Sequence, residues 1–254
     1  MPIAPPRHPT RRAVLSLAGS GTIFAVLAAS PLAALAQTGP GGQPLKIATI
    51  GAGREGSALG AVFVKAGHPV MLSSRHPEQL KDFVAGLGPL AKAGTVAEAV
   101  AFGDVVLLVV PYRAVLEIGE EYGSALASKA LVIDVTNPYA QRDGEDIVKW
   151  VDEQGGAGLA TQKALPGAHL VRGFNAIGSG QLADLAHRSG EPVGIPIAGD
   201  DRDALALASR LIKEIGFEPV VVGGLAMGKY LVPRTALGGV HTPDEIRQIA
   251  ATLK

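Results

Sequence analysis

Residues 45–67, LKIATIGAGREGSALGAVFVKAG, decide the fold. Leu45 to Ile50 is a short apolar run that stops at Gly51, as a strand buried on both faces does. Arg54 to Lys65 then carries Leu59, Val62 and Phe63 at helical spacing and ends at Gly67, a residue suited to a helix C-cap. Between strand and helix stand Gly51, Ala52, Gly53, Arg54, Glu55 and Gly56, a G-x-G-x-x-G turn in the context that gives the pattern meaning. The first glycine allows the tight turn, the second lets backbone amides approach a pyrophosphate, and the third lets helix and strand pack closely. The helix N-terminus favours negative charge. Glu55 is awkward there, because a carboxylate beside a pyrophosphate repels it unless the side chain turns to solvent.

Working outward, the next strand is PVMLSS, residues 69–74. An acid about 20 positions after the glycines would hold a ribose 2′-hydroxyl. The chain has Ser73, Ser74 and Arg75 instead. Two hydroxyls and a guanidinium are what a 2′-phosphate needs, so NADP(H) is preferred over NAD(H). His68, just before this strand, is expected in a surface turn.

Further strands are read at residues 104–110 (DVVLLVV), 130–136 (ALVIDVT) and 218–223 (EPVVVG), and in HLVRGFNAIG and PVGIPIAGD. Helices are read at 77–86, 112–126, around 145–154 and at 201–215, with a short one in TVAEAVAFG. Short apolar strands alternating with helices imply an α/β, Rossmann-type doubly wound and mostly parallel sheet in one domain. Ligands bind such a sheet at the carboxyl ends of its strands. Val110 and Pro111 lie at one such end, Asn137 and Pro138 at a second, and Asn175, Ala176 and Ile177 at a third, where small apolar groups suit a nicotinamide ring. Asp200 and Asp201 are expected to cap the following helix.

Some chemistries are excluded by absence. The tyrosines at 112, 122, 139 and 230 have Leu, Leu, Asp and Arg four residues later, so a Tyr-x-x-x-Lys acid pair is missing. His169 and His187 lack ligand spacing, which predicts no metal site. With no cysteine there is no disulfide framework, thiolate site or cysteine nucleophile. Basic and acidic residues balance at 23 each, and Arg7, Arg11 and Arg12 all precede Gln37, so the remainder is slightly acidic and gives no support to nucleic-acid binding. A nucleotide site without an evident general acid suits hydride transfer between two cofactors, which needs positioning more than proton transfer.

The N-terminus places Arg11 and Arg12 ahead of a mildly apolar run and Ala34-Leu35-Ala36, a small-residue cleavage pattern. Residues 1–36 are therefore expected to be a twin-arginine signal and 37–44 a linker. Residues 45–254 are read as an NADP-binding domain with a C-terminal extension. The mature chain would be periplasmic or otherwise exported, with no stable membrane span after cleavage.

The strings IGAGREGSALG, AGHPVMLSSR, DVVLLVVPY, VIDVTNPY, VRGFNAIGSGQL, IPIAGDD and GFEPVVVGGLAMGKYL together resemble the coenzyme F420-dependent NADP oxidoreductases, from Leu45 to about Leu231. The resemblance implies that Gly51 to Gly56 hold the pyrophosphate of NADP and that Ser74 and Arg75 hold its 2′-phosphate. It also implies that Val110, Pro111, Asn137, Pro138, Asn175, Ala176 and Ile177 line the nicotinamide and an acceptor such as coenzyme F420, FMN or FAD, with Asn137 and Asn175 flanking the reacting carbon. A homodimer is compatible with it. The tail VPRTALGGVHTPDEIRQIAATLK departs from the family pattern. The sequence also permits a nucleotide-binding module or sensor without turnover, and a small-substrate dehydrogenase.

Overall fold

The structure is a computed structural model that describes residues 43–253. The expected export signal and most of the linker lie outside the described residues.

Eight strands form one sheet in the order β3-β2-β1-β4-β5-β6-β7-β8. They are β1 (Ile47–Ile50), β2 (Val70–Ser73), β3 (Ala91–Gly94), β4 (Val105–Leu108), β5 (Leu131–Asp134), β6 (Leu170–Arg172), β7 (Gly194–Gly199) and β8 (Glu218–Gly223). The first six are parallel, and the order reverses between β1 and β4, the switch point at which an open α/β sheet binds its ligand. Pairing aligns the carboxyl ends: Ile50 faces Ser73 and Leu108, Leu108 faces Asp134, and Asp134 faces Arg172. β7 runs antiparallel to β6, and β8 follows β7.

Helices cover both faces, as the continuous apolar strands require. On one, Ile47, Val105, Leu107, Leu131, Ile133 and Ile197 pack under α1 (Arg54–Lys65), α8 (Ser179–Leu185) and α9 (Arg202–Glu214), through residues such as Phe63, Leu182 and Leu211. On the other, Ala48, Ile50, Val106, Leu108 and Val132 pack under α3 (Val96–Phe102), α4 (Arg113–Ala127), α6 (Glu145–Glu153) and α7 (Ala157–Ala164). The short α2 (Lys81–Leu87) and α5 (Ala140–Asp143) complete the connections. The tail forms α10 (Pro243–Thr252), which closes a third cluster of Ala198, Val220, Leu231, Leu237 and Ile246. Among the described residues no helix is long and apolar enough to cross a membrane.

Two expectations are corrected. His68 does not sit in a surface turn: it is buried, with Nδ1 3.1 Å from the backbone of Leu45 and Nε2 3.0 Å from Glu214, so it ties the α1–β2 turn to the start of β1 and to α9. Asp201 does cap α9, accepting from the amides of Asp203 and Ala204. Asp200 does not share that role and accepts instead from the amide of Leu225, beyond β8.

Candidate nucleotide and hydride-transfer site

The glycine turn between β1 and α1 behaves as its spacing predicts. Gly51 has φ +100°, and a Cβ there would stand 2.3 Å from the Val109 carbonyl oxygen. A Cβ on Gly56 would stand 1.9 Å from the Gly51 carbonyl oxygen, which is the close helix-to-strand packing that only glycine permits. Over Gly53 nothing lies within 4 Å of such a Cβ, so the backbone is open to an approaching ligand. No side chain caps α1, which leaves its first amides and the positive end of its dipole available to an anion. Ala52 forms part of the turn but turns its methyl group against the core.

Glu55 does not turn to solvent, the arrangement that would have removed the repulsion. It is half-buried on the wall of the cleft, with Oε1 buried and unpartnered. Burial pushes its carboxyl up to about 7, against the opposing pull of the Ser179 backbone amide at the start of α8. The cause is the packing of α1 against α8, which covers this edge of the turn. The cleft therefore contains a carboxyl raised to about 7 by burial; the sequence places Glu55 in the turn but gives no sign of that burial.

Ser73 is also corrected. Its hydroxyl is fully buried, donates to the Thr49 carbonyl at 2.7 Å and accepts from the Gly51 amide at 3.4 Å. It braces the glycine turn from behind and has no lone surface to offer a 2′-phosphate. Ser74 accepts from the His76 amide at 3.0 Å, and Arg75 is exposed. Both lie at the carboxyl end of β2.

A cleft of about 660 Å³ runs from the glycine turn across the strand ends. Gly53, Arg54, Glu55 and Gly56 form one wall, Val110 and Pro111 follow β4, Asn137 follows β5, and Asn175, Ala176 and Ile177 follow β6. The sequence-predicted groups converge only in part: Pro138 lies on the wall of a neighbouring cleft, and Gly51, Ala52, Ser73, Ser74 and Arg75 do not line this one.

What holds the far end of this cleft was not foreseen. Arg172 and Asp134, both fully buried, form an ion pair at 2.7 Å. The other oxygen of Asp134 accepts from the amide and hydroxyl of Thr136 at 2.8 and 2.6 Å. Arg172 Nη2 donates to Asn137 Oδ1 at 2.9 Å, and Asn137 Nδ2 donates to the Asn175 carbonyl at 2.7 Å. Asn175 Nδ2 closes the circuit by donating to the carbonyls of Asp134 and Thr136 at 3.0 and 3.2 Å. These bonds fix the orientation of the Asn175 amide and leave its Oδ1 buried without a partner. Phe174, immediately before it, has φ +63°, a conformation that non-glycine residues hold at a cost of about 1–3 kcal/mol. A charge of each sign in otherwise apolar strands, Asp134 in VIDVT and Arg172 in HLVRGF, was the available signal.

Sheet order, glycine turn and cleft together define a dinucleotide-binding fold of the Rossmann class, and the comparisons with known proteins make it that of an NAD(P)-dependent oxidoreductase. The resemblance read from the sequence holds: residues 46–138 match the family described as NADP oxidoreductase, coenzyme F420-dependent. A glycerol-3-phosphate dehydrogenase (NAD(P)+) from Rhizobium etli is 24% identical over 225 residues, spanning 74% of this chain and 69% of its own. A structure of a hypothetical protein from Sinorhizobium meliloti is 26% identical with a TM-score of 0.66, covering 78% of this chain and 95% of its own. One from Arthrobacter sp., described as an F420-dependent NADP-reductase, shares the fold at 19% identity and a TM-score of 0.58, over 73% of this chain and 87% of its own.

Proposed function

We propose that the protein transfers hydride between NADP(H) and a flavin or deazaflavin acceptor of the coenzyme F420 type. The observation that carries this reading is the orphaned Asn175 Oδ1, an oriented acceptor with no donor at the strand ends where a nicotinamide carboxamide can supply an N–H. The residues fit such a ligand at its other end as well, through the open backbone at Gly53 and the uncapped α1. Bound NADPH supplies the hydride. The chain's part is positional: Val110, Pro111, Ala176 and Ile177 give apolar walls, Asn137 holds Asn175, and Arg75 meets the 2′-phosphate.

A second reading, a dehydrogenase of a small carbonyl substrate, is favoured by Glu55. Below about pH 7 its carboxyl is neutral and can donate a proton in the same cleft. Stopped-flow oxidation of NADPH against a flavin panel and a carbonyl panel separates the two. Flavins including coenzyme F420 should be reduced, and Asn175→Leu should lower that rate on the order of a hundredfold while weakening NADPH binding much less. Turnover of carbonyls alone would overturn the leading reading in favour of the second, and tight NADPH binding with no turnover of either panel would leave a binding module.

A further inference from the structure

Beside the nucleotide cleft lies a second one of about 830 Å³, sharing Tyr139 and Arg142 with the first. One wall is the segment after β5, with Pro138, Tyr139 and Arg142, and the other is Val232, Pro233 and Arg234 of the divergent tail. Pro233 also reaches the nucleotide cleft, so the tail borders both spaces.

The tail loop is built rather than loosely laid. Leu237 is fully buried and anchors it. Thr235 Oγ1 donates to the carbonyls of Tyr230 and Val232, and the Gly239 amide donates to the Ala176 carbonyl at 3.2 Å, tying the loop to the nicotinamide side of the first cleft. Within it Arg234 is held at φ +70°, a left-handed conformation uncommon for a long side chain, which the surrounding loop must maintain.

The charge of this cleft is one-sided. No carboxylate is among its walls. Arg142 is neutralised by the buried Asp143 behind it, at 2.8 Å, and lies 5.1 Å from the centre of the Tyr139 ring. Arg234 is exposed and pairs with no carboxylate among the described residues. The Tyr139 side chain is 44% exposed and offers aromatic surface to the same space. An exposed guanidinium and an exposed aromatic lining one cleft, which shares Tyr139, Arg142 and Pro233 with the first, are chemistry for a ring system that carries an anionic side chain.

We propose that this second cleft seats the acceptor, a planar ring with an anionic tail, and that Arg234 holds the anion. The proposal rests on the oxidoreductase reading above and names the class of acceptor within it. FMN and riboflavin share one ring system and differ by a phosphate, so their comparison isolates the anion. Binding is measured by flavin fluorescence in the full-length protein saturated with NADP+, which keeps phosphate groups out of the nucleotide cleft. The wild type should bind FMN about tenfold more tightly than riboflavin, the scale of one charge-assisted contact. Arg234→Gly keeps the left-handed backbone and should bring the two affinities within about twofold, whereas Arg234→Lys should retain most of the preference. Equal binding of the two flavins by the wild type, or a preference that survives in Arg234→Gly, would overturn the proposal. Arg234-dependent binding of FMN with no reduction by NADPH would sink the reductase reading and leave this site standing. Flavin reduction indifferent to Arg234 would do the reverse.

Discussion

The two ends of the nucleotide cleft are held by opposite means. At the glycine turn the backbone does the work: three missing side chains create the turn, the open approach and the helix contact. At the strand ends side chains do it, through a closed circuit of Arg172, Asp134, Asn137 and Asn175 that spans two loops. Backbone geometry tolerates changes in its surroundings provided the glycines remain. A side-chain circuit in a low-dielectric interior depends on every member, because each partner removed strands another.

Removing Arg172 is the strongest way to break this contrast. Arg172→Leu leaves Asp134 buried and uncompensated, which should cost about 3–5 kcal/mol of folding stability, read as a shift in the urea midpoint at unchanged slope. A loss below about 1 kcal/mol would mean that the circuit does not hold the strand ends.

The second test sharpens the contrast at the proposed adenosine side, where the reading relies on a single exposed guanidinium with no circuit behind it. Arg75→Ala should weaken NADPH by roughly 1.5–3 kcal/mol in a titration while NADH changes little. Equal losses for the two would remove Arg75 from the 2′-phosphate.

The smallest effect belongs to Glu55, the one titratable group set into the backbone-built end. With its carboxyl raised to about 7, it is neutral below that pH and charged above it, on the wall where the proposed reading puts the pyrophosphate. The complex therefore favours the protonated form, and NADPH affinity should fall several-fold as pH rises from about 6 to 8. Glu55→Gln should flatten that dependence. An unchanged pH profile in the variant would place the titration elsewhere.

This division also explains what was legible. A backbone requirement writes itself into residue types, so Gly51, Gly53 and Gly56 announced the turn, and β1, β2, β4, β5 and β8 followed from apolar runs. The circuit joins residues up to 41 positions apart, a relation that appears only when β5 and β6 pair. Ser73 shows the same limit: its hydroxyl was visible, but its pairing with Thr49 depends on the register of β1 and β2. β3, with the sequence AKAG, has no strand signature and is formed by pairing with β2. α10 lies outside the helices expected from the sequence although its start carries a local signal, a capping box of Thr242 and Glu245 with Pro243 in the first turn.

The reversal of β7 has a consequence for how such a protein can change. Because β7 and β8 run against the first six strands, β8 delivers the chain to the edge of the sheet away from the nucleotide. The segment Leu225–Tyr230 must then pass back, against α7 and under the guanidinium of Arg172, before Val232 to Arg234 can reach the cleft mouth. The residues that contact the second cleft from this side are therefore the last to arrive and are not interleaved with those that build the glycine turn. Substitution at residues 232–234 would then alter that wall while leaving Gly51, Gly53 and Gly56 and the packing of Leu237 and Ile246 unchanged.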